Sequence, residues 1–178
     1  MSNYDSMRRR EIPAPEKTYE ISDDPGDGAE TVGRTARLIL EDDVAFASQL
    51  KEALEIQEHA VTVVANGAEG LKKIMAGDFS IILCDMVMPN FPGDMFYAAV
   101  ERVRPQLCKR FIFMTGHQGD RKIEEFIRRI RGLMLWKPFQ MQVLFETVAA
   151  VNNKNGQNYN GDKDVAQVAA KVKLEMPK

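Results

Sequence analysis

Ile81-Ile82-Leu83-Cys84-Asp85-Met86-Val87-Met88-Pro89 decides the fold of this chain. Four apolar residues run into an acid, and a short apolar turn closed by proline follows. A run apolar on both faces reads as a strand covered on both sides, as in the middle of a parallel sheet. An aspartate inside such a strand is costly unless it is paired or metal-bound. At the strand's carboxyl end, Asp85 instead faces the crevice where open α/β sheets bind ligands.

Working outward, four further strands surround this one. Leu38-Ile39-Leu40 is aliphatic and stops at Glu41-Asp42-Asp43. Val61 to Val64 is a β-branched stretch, Phe111 to Met114 closes in Thr115-Gly116, and Leu133 to Trp136 closes in Lys137-Pro138. Between them, apolar residues recur at helical spacing. The first such stretch is 44–57, carrying Phe46, Leu50 and Leu54. A second carries Leu71, Ile74 and Met75 and is stopped by Gly77-Asp78. A third carries Met95, Phe96, Ala99, Val100 and Val103 and is ended by Pro105. A fourth carries Ile123, Phe126, Ile127 and Ile130, with Gly132 at the helix-ending position. A fifth carries Val143, Leu144, Val148 and Val151. Five strands alternating with five helices through short loops predict a doubly wound parallel sheet, covered on both faces.

The ends differ in composition. Residues 1–34 are polar and rich in Pro, Gly and acids, and read as a disordered N-terminal segment. The globular domain is expected over 35–151. The Asn/Gly-rich stretch after it reads as a linker within 152–178, and Val165, Val168, Val172 and Met176 fit one face of a short C-terminal helix. In a chain of 178 residues with net charge −2, no global electrostatic pull toward nucleic acid is expected. No stretch approaches the roughly 20 apolar residues that span a bilayer. Two cysteines, Cys84 and Cys108, stand apart with no C-x-x-C. Free thiols fit a reducing compartment, so a cytoplasmic protein without membrane association is expected.

In a parallel sheet, strand ends of one sense share an edge. Glu41 and Asp42 end the first strand, Asp85 the third, Thr115 the fourth and Lys137 the fifth. Three carboxylates that close need a counter-charge. Oxygen ligands favour Mg²⁺, or Mn²⁺, over zinc. An activated carboxylate beside a divalent ion, an ammonium and a hydroxyl has the make-up of a phosphoryl-transfer site, with Asp85 the nucleophile. Each piece taken alone has a plainer reading. Asp85 fits a turn or cap, Thr115-Gly116 a loop, Lys137-Pro138 an exposed turn, and Glu41-Asp42-Asp43 the start of a helix. Their joint placement at four strand ends is what points to chemistry.

These pieces, Leu38 to Asp43, Leu83 to Pro89, Met114 to Gly116 and Trp136 to Phe139, resemble the receiver domain of two-component response regulators. The similarity covers residues 36–151. It implies a flavodoxin-like fold with strand order 2-1-3-4-5. It implies that Asp85 takes a phosphoryl group from a phosphohistidine on a sensor histidine kinase or histidine phosphotransfer protein. Asp42, Asp85 and the backbone carbonyl of Val87 would hold Mg²⁺ directly, and Glu41 through water. Thr115 and Lys137 would contact the phosphoryl oxygens, and the Lys137-Pro138 bond would be cis. Output would be a changed surface on the fourth helix, fifth strand and fifth helix, including Arg128 and Arg129, that binds another protein. Homodimerisation stays open.

Two features depart from the family pattern. Met134 stands where members often carry Tyr or Phe, a ring that moves inward on phosphorylation. Pro92 replaces the common aspartate before Gly93. His117, two residues after Thr115, is a candidate for tuning the lifetime of an acyl phosphate, whereas His59 reads as an ordinary surface residue. With no helix-turn-helix, P-loop or kinase core in the sequence, a stand-alone receiver or one taken from a hybrid kinase is expected, with no enzymatic output of its own. The rival readings are a pseudo-receiver that binds proteins without phosphorylation and a phosphatase acting on a small molecule.

Overall fold

A computed structural model of the chain describes residues 36–155, the last three by their backbone alone. The expectations for the N-terminal segment and for a short helix near the C-terminus lie outside the described residues. Five strands are present: β1 (Ala36–Leu40), β2 (Ala60–Val64), β3 (Ile81–Asp85), β4 (Phe111–Thr115) and β5 (Leu133–Trp136). All pair in parallel, in the order β2-β1-β3-β4-β5. The helices are α1 (Val44–Glu55), α2 (Gly67–Ala76), α3 (Gly93–Val103), α4 (Arg121–Ile130) and α5 (Met141–Asn155). The doubly wound parallel sheet expected from the strand pattern is therefore present, in the order that the resemblance to receiver domains implies.

Strand alternation sends side chains to two cores. Leu38, Leu40, Ile82, Cys84, Phe111 and Phe113 face α2, α3 and α4. Ile39, Ile81, Leu83, Ile112 and Leu135 face Leu50 and Leu54 of α1 and Val143, Leu144 and Val148 of α5. Every residue of β3 and β4 is buried, as the continuous apolar runs require of inner strands.

Helix starts follow local side-chain chemistry. Asp43 caps α1 by accepting from the N–H groups of Ala45 and Phe46. Asn66 caps α2 through Glu69 N–H, and Asp120 caps α4 through Lys122 N–H. Each satisfies amide donors that the first helical turn leaves unpaired.

Five details differ from the sequence reading. A 3-10 helix (Pro105–Arg110) follows α3. Pro105 does end α3, but the chain coils again, because Arg104 and Arg110 fold back onto Asp78 and onto the carbonyls of Ile74, Gly77 and Phe79. α1 stops at Glu55, short of 57, before Glu58 turns to a φ of 61°. α5 runs to Asn155, past the expected boundary at 151, since no Gly or Pro interrupts it before Gly156. At the end of α4 the left-handed residue is Arg131, with φ 53°, rather than Gly132. Gly132 instead donates its N–H to the Ile127 carbonyl, and a Cβ there would meet Ile130 Cδ1 at 3.0 Å.

His59 is the fifth. It is half-buried, and its Nε2 accepts from Arg37 Nη2 at 2.6 Å. Arg37 lies in β1 with only 1% of its surface exposed. Among the described residues, its Nε and Nη1 have no hydrogen-bond partner. Burial lowers the Arg37 pKa to about 10.

Candidate functional site

The carboxyl ends of β1, β3, β4 and β5 bring the predicted residues to one edge. Glu41 follows β1 and is buried, with Asp42 exposed beside it. Asp85 is the last residue of β3 and is 6% exposed, Thr115 ends β4 fully buried, and Lys137 follows β5. One oxygen each from Glu41, Asp42 and Asp85 lie within 4.8 Å of one another.

Lys137 closes the cluster. Its Nζ donates to Glu41 Oε2 at 2.6 Å and to Asp85 Oδ2 at 2.8 Å. The other oxygen of Asp85 accepts from the Val87 N–H at 3.0 Å, so both carboxylate oxygens are engaged. Sequence reasoning assigned Lys137 to phosphoryl oxygens; in the structure it bridges two of the acids. The chain must also approach closely beneath Asp85. A Cβ on Gly93 would lie 2.5 Å from the Asp85 carbonyl oxygen, which requires glycine at the start of α3. The Lys137-Pro138 bond is cis.

The charges do not balance. Burial pushes the Glu41 carboxyl up to about 7; its bond to Lys137 pulls down and the charge of Asp85 adds to the rise. Burial alone would lower the Lys137 pKa, but its contacts with Asp85 and Glu41 outweigh that and raise it. One ammonium against three clustered carboxylates leaves the edge short of positive charge. An all-oxygen donor set with excess negative charge fits a hard divalent cation.

Thr115 accepts from the His117 backbone N–H at 3.2 Å through Oγ1. His117 itself is exposed, and it is its main chain that touches Thr115. Met134, in the place of the family's ring, is half-buried and packs against the core that faces α4.

The sequence reading did not assign Phe46 to the site. Its ring centroid lies 4.6 Å from Lys137 Nζ, and the Phe139 ring meets it edge-on at 5.7 Å. The helical spacing of Phe46 marked it only as core, and nothing in that spacing reports a neighbour ninety residues away.

A family model for the response regulator receiver domain matches residues 38–149. The chain belongs to that family. Among curated relatives, the receiver is 26% identical over 147 residues to transcriptional regulatory protein TcrA of Mycobacterium tuberculosis, covering 79% of this chain and 55% of that protein. It is 33% identical over 111 residues to the response regulator receiver protein CpdR of Brucella abortus, covering 62% of this chain and 91% of CpdR. It also matches 14% of the length of the sensor kinase CckA of Brucella abortus, at 28% identity over 145 residues and 80% of this chain. The chain thus spans about half the length of TcrA and less of CckA. Among solved structures, a CheY-like receiver domain protein from Methanospirillum hungatei superposes with a TM-score of 0.62 at 25% identity, covering 69% of this chain and 99% of that one. Among the described residues, no helix is long and apolar enough to cross a membrane.

Proposed function

We propose that this receiver takes a phosphoryl group onto Asp85 from a phosphohistidine of a sensor histidine kinase or histidine phosphotransfer protein, with Mg²⁺ (or Mn²⁺) bound at the acidic edge. The observation that carries this reading is Lys137 Nζ held between Glu41 and Asp85 within the three-carboxylate cluster. Asp42, Asp85 and the Val87 carbonyl would hold the cation directly, with Glu41 acting through water. When bound, the cation supplies positive charge to the transferring oxygens.

An oxygen lone pair of Asp85 attacks phosphorus, and the P–N bond breaks. Its electron pair returns to the ring nitrogen, which leaves as neutral imidazole when the other ring nitrogen carries a proton. The product is an acyl phosphate on Asp85. Lys137 offsets charge on the phosphoryl oxygens, and the Thr115 hydroxyl donates to one of them. Water attack on the same phosphorus reverses the modification and releases inorganic phosphate.

Output would pass through the exposed face of α4, β5 and α5 to a protein partner. Arg121, Lys122, Arg128, Arg129 and Arg131 of that face are exposed, and Met134, flexible and apolar, would be the side chain to repack there. Cys84 and Cys108 are free thiols, which accords with action in the cytoplasm.

The test is intact mass after incubation with Mg²⁺ and a small acyl-phosphate donor, wild type beside Asp85→Asn. One phosphoryl adduct on wild type alone is expected. A folded wild type that stays unmodified with Mg²⁺ present would overturn the reading and favour a phosphorylation-independent interaction module.

A further inference from the structure

We propose that Phe46, backed by Phe139, is a positioning residue that holds the Lys137 ammonium over the phosphoacceptor; this rests on Asp85 being that acceptor. An ammonium carries three donors on a flexible four-carbon stem. Two donors go to Glu41 Oε2 and Asp85 Oδ2, at 2.6 and 2.8 Å. The remaining side of Nζ meets an aromatic ring, with the Phe46 centroid 4.6 Å away. That distance lies within the range over which a ring quadrupole attracts a cation.

The ring is itself fixed from two directions. Asp43 Oδ1 accepts the Phe46 N–H at 3.1 Å, so the acidic loop after β1 sets where the first turn of α1 begins. Phe139 packs on Phe46 with ring planes at 68°. The segments after β1 and after β5 are therefore joined by an aromatic contact directly beside the ammonium. Phe46 and Phe139 are half-buried, and the Lys137 side chain is only 21% exposed.

This wall matters because the carboxylate contacts of Lys137 must change during the reaction. Oxygens of Glu41 and Asp85 that now face Lys137 are also the ones available to a cation and to phosphorus. A lysine held by those two contacts alone would be free to swing into solvent once either is withdrawn. A ring cannot be drawn away by a cation or consumed by phosphoryl transfer, so the Phe46 contact persists while the carboxylates are redeployed. Leucine fills similar space but has no negative face; tyrosine keeps the face.

The experiment measures the rate of Asp85 phosphorylation by a small acyl-phosphate donor at saturating Mg²⁺ in the full chain. Phe46→Leu is expected to slow it by about threefold to thirtyfold, the range of a cation–ring contact from exposed to desolvated settings. Phe46→Tyr is expected to stay near wild type. In a Lys137→Met background, Phe46→Leu is expected to have no further effect. In parallel, the Lys137 ε-methylene protons are followed by NMR without any donor. The ring current is expected to hold them upfield in wild type, and Phe46→Leu to return them to the ordinary lysine range.

Equal slowing by Phe46→Leu in both backgrounds would mean that Phe46 is merely structural and would overturn the proposal, as would an ε-methylene shift indifferent to the substitution. A wild type that takes up no phosphoryl group overturns the phosphoacceptor reading and this role with it. The NMR shift then still reports whether the contact exists, so the two failures are told apart.

Discussion

Asp85 sits where three demands meet: an apolar strand behind it, an ammonium across it and a glycine beneath it. The strand and the acid were legible in the sequence, because four apolar residues before a carboxylate permit few other readings. Gly93 was legible as the usual loop glycine, though not as the residue on which the Asp85 backbone rests. Arg37 and His59 were not legible. An arginine before Leu38-Ile39-Leu40 reads as the polar edge of a strand, yet it is enclosed, with neutral His59 as its acceptor. Burial first, and then the charge of Arg37, lower the His59 pKa. The folded state therefore binds fewer protons at this site than the unfolded chain, whose histidines titrate near about 6.5. The stability from this pair is complete above that pH and is lost as pH falls through the lowered folded value. Urea unfolding at pH 7.5 and 5.5 should show wild type losing more stability on acidification than His59→Gln, which keeps an acceptor and cannot protonate. Equal losses would mean that the pair does not titrate as described.

Among the elements, strands and helix cores followed from periodicity, whereas the caps at the helix starts are plain only in the structure. Asp43, Asn66 and Asp120 each precede a helix and accept its free amides. The end of α4 misled because glycine is the usual left-handed residue there and Gly132 was available one position late. Gly132 instead sits one position later, where a Cβ would press on the side chains of Ile130 and Phe113 at 3.0 to 3.3 Å. Arg131 carries the positive φ and the steric cost that goes with it. Arg131→Gly should stabilise the domain by about 1 kcal/mol in chemical denaturation, with the α4 hydrogen bonds unchanged. A loss of stability would mean that the Arg131 side chain contributes more than its backbone costs. The 3-10 helix was invisible for a different reason. Six residues with one buried side chain, Leu107, carry no periodicity, and the arginines that hold the segment reach more than twenty-five residues back.

At the scale of the molecule, the covered parallel sheet followed from alternation of elements, and its 2-1-3-4-5 order from the resemblance to receiver domains. The site followed from the same fact, since a parallel sheet collects its strand ends on one edge. What no local pattern reports is how charges are shared there. A fold with more clustered carboxylates than cations is destabilised by its own site and gains when a cation binds. Mg²⁺ at tenfold over its dissociation constant should raise the free energy of unfolding by about 1.4 kcal/mol. Asp42→Asn should reduce that gain, seen as a smaller rise in melting temperature on adding Mg²⁺. A variant stabilised by Mg²⁺ as much as wild type would place the cation elsewhere.

The ammonium bridge joins residues 96 apart to Glu41 and 52 apart to Asp85. A chain emerging from the ribosome exposes Glu41 and Asp42 early and Asp85 next, but it has no Lys137 to complete the edge until β5 has been made and has docked. A half-synthesised domain thus carries the clustered acids without the ammonium that bridges them. The acidic edge of a nascent chain is therefore without its own counter-charge until translation has run past Lys137.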